Sequence, residues 1–208
     1  MKFWLLIGII YTSFFLWYTN LSGNLNDEEI KFFLDKLERN AKDRGSSLDQ
    51  DRYDRIKVFM EEDDGKEFFM INNLDLKENH ELLKEIEGED STEGILGKYT
   101  DHIMPELLKR ASHPIFMGNS IHVSMDIVGI ENAEIWDSAA VIRYKSRRAL
   151  MEIATNPVFE RKHKFKVAAL EKTIAYPIKL DFYLGDLRMI LAFILLIIGL
   201  FIRPIIRK

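Results

Sequence analysis

The sequence predicts an α+β domain built on an antiparallel sheet, preceded by a helical arm and flanked at each chain end by an apolar helix. Three observations carry this. Two uncharged apolar runs sit at the ends, strand and helix signals alternate between residues 67 and 180, and the charge is distributed very unevenly.

Of the 208 residues, all 33 acidic ones lie between Asp27 and Asp186. Outside that window the only charges are Lys2, Arg188, Arg203, Arg207 and Lys208. The middle therefore holds 24 of the 29 basic residues against 33 acidic ones, a net of −9 where the whole chain shows −4. Such a domain repels phosphate backbones, so no nucleic-acid partner is expected. The chain has no cysteine, which excludes disulfides, thiolate metal sites and cysteine nucleophiles.

The first apolar run, FWLLIGIIYTSFFLWY from Phe3 to Tyr18, carries no charge and no proline. It falls a little short of the roughly 20 residues of a spanning helix. Its aromatics, Phe14, Phe15, Trp17 and Tyr18, gather at the late end, as in an interfacial belt. A cleaved signal is the alternative, but TNLSGN after Tyr18 matches a small-residue cleavage site only weakly. The last run, MILAFILLIIGLFI from Met189 to Ile202, is bounded by Arg188 and Arg203 and has no polar face at helical spacing. If Arg203 snorkels, it continues through Ile206. The basic residues beyond both runs place the two termini in the cytoplasm and the acidic middle on the other side, with Arg188 the one contrary charge. The expected organisation is a transmembrane anchor over 1–20, a helical arm over 24–64, a domain over 65–182 and a second transmembrane helix over 187–206. The expected location is a plasma or inner membrane.

Asn24 to Asn26 cap a first amphipathic helix, in which Ile30, Phe33, Leu34, Leu37 and Ala41 share a face. A second helix spans about Leu48 to Glu62. Glu67 to Leu74 (EFFMINNL) reads as a strand. In the charged stretch 75–90, Leu82, Leu83 and Ile86 fit a helical turn or a solvated excursion equally well. Ser91 or Thr92 caps a helix to about Arg110, with Pro105 expected to kink it. From Ile115 to Ile127, apolar Ile121, Val123, Met125 and Ile127 alternate with Ser120, His122, Ser124 and Asp126, which predicts a strand. Asp137 to Lys145 is the next strand. Ser146 caps a helix that Asn156–Pro157 breaks and restarts. Thr173 to Leu180 is the last strand. Strand, helix, strand, strand, helix, strand is the split βαβ, ferredoxin-like order, with both helices on one face of the sheet.

Trp136–Asp137 followed by VIRYKSRRALMEIATNPVFERKHKFKVAALEKTIAYP resembles the dimeric α/β-barrel superfamily, near its small uncharacterised members. DDGKEFFMIN from Asp63 and YTDHIMPELLKRASHPIFMGN from Tyr99 resemble the first strand and first helix of that group. The likeness covers about residues 50 to 180. It implies two sheets facing each other across a homodimer around a barrel-like cavity. Members include monooxygenases of small aromatic or polyketide compounds, haem-handling proteins and isomerase-like enzymes. Asn72 matches an asparagine common in the first strand. The terminal helices and the arm depart from the plain form, and the arm itself is one way to cover the open sheet face.

The candidate cavity-lining residues are Asn72, His122, Ser124 and Asp126. On the predicted second strand, the polar alternation would turn the last three toward the open face, where His122 suits acid–base work near neutral pH. Arg143, Arg147 and Arg148 beside Ser146 form a candidate anion site at a helix start. The plainer readings are a wetted face, and capping with surface ion pairs. His163 falls on an apolar helical stripe and reads as a core residue. His80, His102 and His113 have no metal-ligand spacing, so neither metal nor cofactor is expected. The expected function is that of a membrane-anchored domain, small-molecule-binding or structural. A cofactor-independent oxygenase or isomerase and a membrane-complex assembly subunit are the alternatives. The expected partners are the lipid bilayer, a second copy and a small ligand.

Overall fold

The protein is described here by a computed structural model covering residues 2–43, 45–79 and 91–206. In chain order the elements are α1 (Lys2–Tyr18), α2 (Asp27–Asp43), α3 (Gln50–Glu61), β1 (Phe68–Leu76), α4 (Thr92–Lys109), β2 (His113–Asn119), β3 (Ser138–Tyr144), α5 (Arg147–Ala154), α6 (Pro157–Ala169), β4 (Leu170–Ile178) and α7 (Leu187–Ile206). The stretch holding Leu82, Leu83 and Ile86 lies outside the described residues.

Local chemistry sets the helix starts. Ser91 Oγ accepts from Gly94 N, Ser146 Oγ from Ala149 N, and Asn156 Oδ1 from Val158 N ahead of Pro157. Asn26 and Glu29 form a reciprocal capping box on α2: the Glu29 amide donates to Asn26 Oδ1, and the Asn26 amide to Glu29 Oε2. Helix α4 runs through Pro105 and ends in a Schellman turn, with Ser112 N on Leu107 O and Ala111 N on Leu108 O. Ala111 takes the left-handed conformation there (φ 51°), where glycine is usual.

The sheet is antiparallel, four strands in the order β2-β3-β1-β4. This is the ferredoxin-like order. Helices α4 and α6 pack together over one face. Phe68, Ile103, Leu107, Tyr144 and Ile153 form one core cluster beneath them, and Ile95, Phe165, Ala168 and Ala169 a second. Each of the buried leucine, isoleucine and phenylalanine side chains contributes about 1.5–3 kcal/mol.

The second strand is shorter than its alternation predicts. It ends at Asn119, and residues 120–137 form an irregular excursion held by Ser120 N on Asp137 O and Ser124 N on Glu134 O. The reason is the neighbourhood. β3 begins at Ser138, opposite Leu74 of β1, so beyond that point the hairpin has no third strand beside it. A two-strand ribbon alone is marginal. Its apolar side chains stay in solvent, Ile121 at 101% and Met125 at 89% exposure.

The arm does not cover the open sheet face. Leu25, Ile30, Phe33, Leu34, Leu37 and Met60 close instead on Met151 of α5. Arg148 donates to both oxygens of Glu29, and Asn40 Nδ2 donates to Thr155 O. Gly65 (φ 69°) brings the turn before β1 against the 23–24 backbone so closely that a Cβ would lie 2.8 Å from Asn24 N.

Helices α1 and α7 pack side by side, with Gly199 leaving room for the Trp4 ring. Among the described residues no helix is long and apolar enough to cross a membrane. Helix α1 has 17 residues, about 25 Å at the helical rise. The pair is fastened to the sheet by a buried arginine. Arg143, 1% exposed, stacks on the Tyr18 ring at 3.6 Å and donates to Tyr18 O, Ala111 O and Glu67 Oε2. Arg188 reaches the same Glu67 from α7, and Tyr18 Oη bonds His113 Nε2 at 2.7 Å. Replacing Arg143→Met takes the donor from Glu67 Oε2 and from two carbonyls and is expected to cost about 3–5 kcal/mol in chemical denaturation. Adding Glu67→Gln should recover part of it. A single variant as stable as the native chain would show that the cluster does not hold the fold.

Candidate functional site

Strand alternation divides the sheet into two unlike faces. Asn72, Leu74 and Leu76 of β1 and Ser138, Ala140, Ile142 and Tyr144 of β3 point under α4. With Tyr99, Ile103 and Leu107 of α4 and Lys166 of α6 they enclose a cavity of about 320 Å³. Its floor is buried, with Leu107 2%, Ile103 7% and Tyr144 8% exposed. Its mouth is marked by exposed Met117, Asn119 and Glu93. The floor lies at the Arg143 end of the sheet, near the root of the α1–α7 pair. The mouth lies at the opposite end.

The lining is mostly apolar, with few polar groups. Asn72 Nδ2 donates to Met70 O. Tyr144 stacks on Phe68, ring centroids 5.2 Å apart, and Tyr99 contacts the rings of Phe159 and His163. Burial pushes the Tyr99 phenol up to about 12. Tyr144 is pushed up too, by burial first and by the neighbouring Tyr99 second. Both are therefore hydrogen-bond donors at neutral pH. Lys166 Nζ lies 5.9 Å from the Tyr99 ring centroid, and desolvation lowers its pKa. The site is thus an apolar slot with protonated phenols and one amine. Among the described residues no cluster of His, Cys, Asp and Glu is placed to hold a metal ion.

Of the residues expected to line a cavity, only Asn72 does so, and on the helix-covered face rather than the open one. His122 is exposed in the excursion, its Nδ1 3.3 Å from Val123 O. Ser124 Oγ donates to Ala133 O, and Asp126 is exposed. These three shape or decorate the loop and do not reach the slot.

In the arginine cluster each guanidinium is already engaged. Arg143 serves Glu67 and Tyr18, Arg147 donates to Phe59 O, and Arg148 holds Glu29, Gly23 O and Asn24 O. The N-terminus of α5 is capped by Ser146. A wider groove of about 720 Å³ runs between α2 and α5, but its arginines are paired, Arg148 with Glu29 and Arg110 with Glu152. Tyr99 was legible as part of an apolar helix face and Tyr144 as the continuation of Ala140 and Ile142. Nothing in the sequence marked Lys166.

No protein-family model and no curated protein matches this chain. Solved structures do. A protein of unknown function from Rhodopseudomonas palustris is similar at 17% identity and TM-score 0.52, over 66% of this chain and 97% of that one. A dimeric protein of unknown function with a ferredoxin-like fold from Bacteroides fragilis is similar at 11% identity and TM-score 0.33, over 55% and 96%. A dimeric ferredoxin-like protein of unknown function from Jannaschia sp. is similar at 13% identity and TM-score 0.34, over 55% and 99%. At 17% identity the likeness to the Rhodopseudomonas palustris protein is one of fold, and the strand order makes this chain an α+β, ferredoxin-like protein carrying additional segments.

Proposed function

We propose that this chain is a membrane-held, small-molecule-binding domain of ferredoxin-like fold, and that the slot beneath α4 is its binding site. The cavity carries this reading. At about 320 Å³, with an apolar wall and a few polar groups, it has the build of a pocket for a compact ligand. An oxygenase or isomerase activity would use the same slot, but the described residues offer it no nucleophile–base pair. The test uses a neutral probe, naphthylmethanol, titrated into the full-length chain in lipid nanodiscs with empty nanodiscs subtracted. Saturable binding is expected, weakened about tenfold or more by Ala140→Leu, which narrows the slot, with little change in melting temperature. Absence of binding, or binding indifferent to Ala140→Leu, overturns the reading.

The membrane attachment rests on the α1–α7 pair. Leu5, Ile9, Leu16, Phe193, Ile197 and Leu200 are each 52–65% exposed around a helical pair that has no polar face. A helix apolar all round belongs in a core or a bilayer. A run slightly shorter than the hydrocarbon layer is accommodated by local thinning and by interfacial aromatics such as Trp17. Both termini lie on the cytoplasmic side in this reading. The absence of cysteine makes the test clean. An impermeant maleimide should label Ser22→Cys in intact cells and Lys208→Cys only after lysis. The reverse pattern, or extraction of the protein by alkaline carbonate, rejects the arrangement.

The open sheet face supports a homodimer. Phe116, Ile174 and Tyr176 stand on it at 55%, 46% and 42% exposure. Exposed apolar area of this kind marks an interaction surface. Light scattering in mild detergent should give a dimer for the native chain and a monomer for Phe116→Asp. A native monomer removes the second copy as the partner of this face.

A further inference from the structure

The slot does not treat its polar groups evenly, and the asymmetry specifies a ligand. Asn72 and Thr100 spend a donor on backbone carbonyls, while Lys166 lies by the Tyr99 ring. The Lys166 side chain comes down from α6 onto the Tyr99 ring, and Tyr99 and Tyr144 both line the same space. Among the described residues Lys166 has neither a carboxylate nor a carbonyl partner, so its ammonium faces an apolar cavity without a counter-charge. The other charged lining residue, Glu93, is exposed on the first turn of α4, at the mouth, where water screens it. The remaining wall, from Leu74, Leu76, Leu96 and Met117 to Ile103 and Leu107, is apolar.

From this arrangement, and resting on the reading of the slot as a binding site, we infer that the ligand is a compact apolar monoanion whose acidic group is held by Lys166 with the Tyr99 phenol beside it. A carboxylate supplies the counter-charge that Lys166 lacks, and charge-assisted hydrogen bonds are the stronger kind. The volume limits the body to about a dozen non-hydrogen atoms at protein packing density, the size of a medium-chain or bicyclic aromatic acid. The lowered pKa of Lys166 has the same origin, since the amine sits in a medium that penalises its charge until an anion arrives. The mouth opens away from the helical pair, so the acid enters from the aqueous side and not along the bilayer.

The experiment compares naphthoate with naphthylmethanol, equal in framework and unlike in charge, on the full-length chain in nanodiscs. Naphthoate should bind about tenfold more tightly or better. Lys166→Met should erase that preference, and Lys166→Arg should keep it. Should Lys166→Met fail to fold, the preference of the native chain decides alone. Equal affinity for acid and alcohol, or a preference that survives Lys166→Met, overturns the assignment of an anion and leaves the binding site standing. If neither probe binds the native chain, the binding site itself fails and the inference with it.

Discussion

Arg143 is the charge around which this structure is assembled. A guanidinium this deeply buried is tolerable only when its donors and its face are satisfied together. Here one side chain meets three parts of the chain: the end of α1, through the carbonyl and ring of Tyr18, the Schellman turn after α4, and the carboxylate ahead of β1. The left-handed Ala111, an uncommon conformation for a residue with a Cβ, turns the carbonyl that Arg143 Nη1 reaches at 2.6 Å. Glu67 is shared with Arg188, so the start of α7 is drawn to the same point. The helical pair is therefore not loosely strung from the domain but locked into one end of its sheet.

That placement orders everything else. The Arg143 side of β3 belongs to the open face and the Tyr144 side to the covered one, so neighbouring residues on one strand face the helical pair on one side and the slot on the other. The knot fills the open face at one end, where Tyr183 also meets Phe69 edge to ring, and leaves Phe116, Ile174 and Tyr176 uncovered. On the other side the slot runs from a floor near the knot to a mouth at the far end. The long excursion after β2 leans on that far end, with Trp136 against Lys172 of β4.

Much of the fold was legible in residue order. Caps at Ser91, Ser146 and Asn156 and the periodicities between them located α4, α5, α6 and three of the strands, because those signals are local. The failures share a cause, which is dependence on a distant neighbour. The alternation from Ser120 to Ile127 is a sound strand pattern without a third strand to pair beside it. The arginine triplet looks like an anion site until Glu29, Phe59 and Glu67, each far away in sequence, come to meet it. Asn72 lies on the helix-covered side of the sheet and not on the open one, since alternation separates faces without saying which one the helices cover. Arg188, contrary to the charge rule in sequence, is neutralised by Asp186 and Glu67. Lys166 is one of several lysines on α6 and gains its meaning only from the ring it lies over.

The close pairing of α1 with α7 brings the beginning and end of the chain together on one stalk. A cut on either side, at residues 19–26 or 179–186, would leave the severed helix fastened to the domain through Tyr18 on Arg143 or Arg188 on Glu67. Freeing the domain from the helical pair would require both connections to be cut and those contacts to be broken.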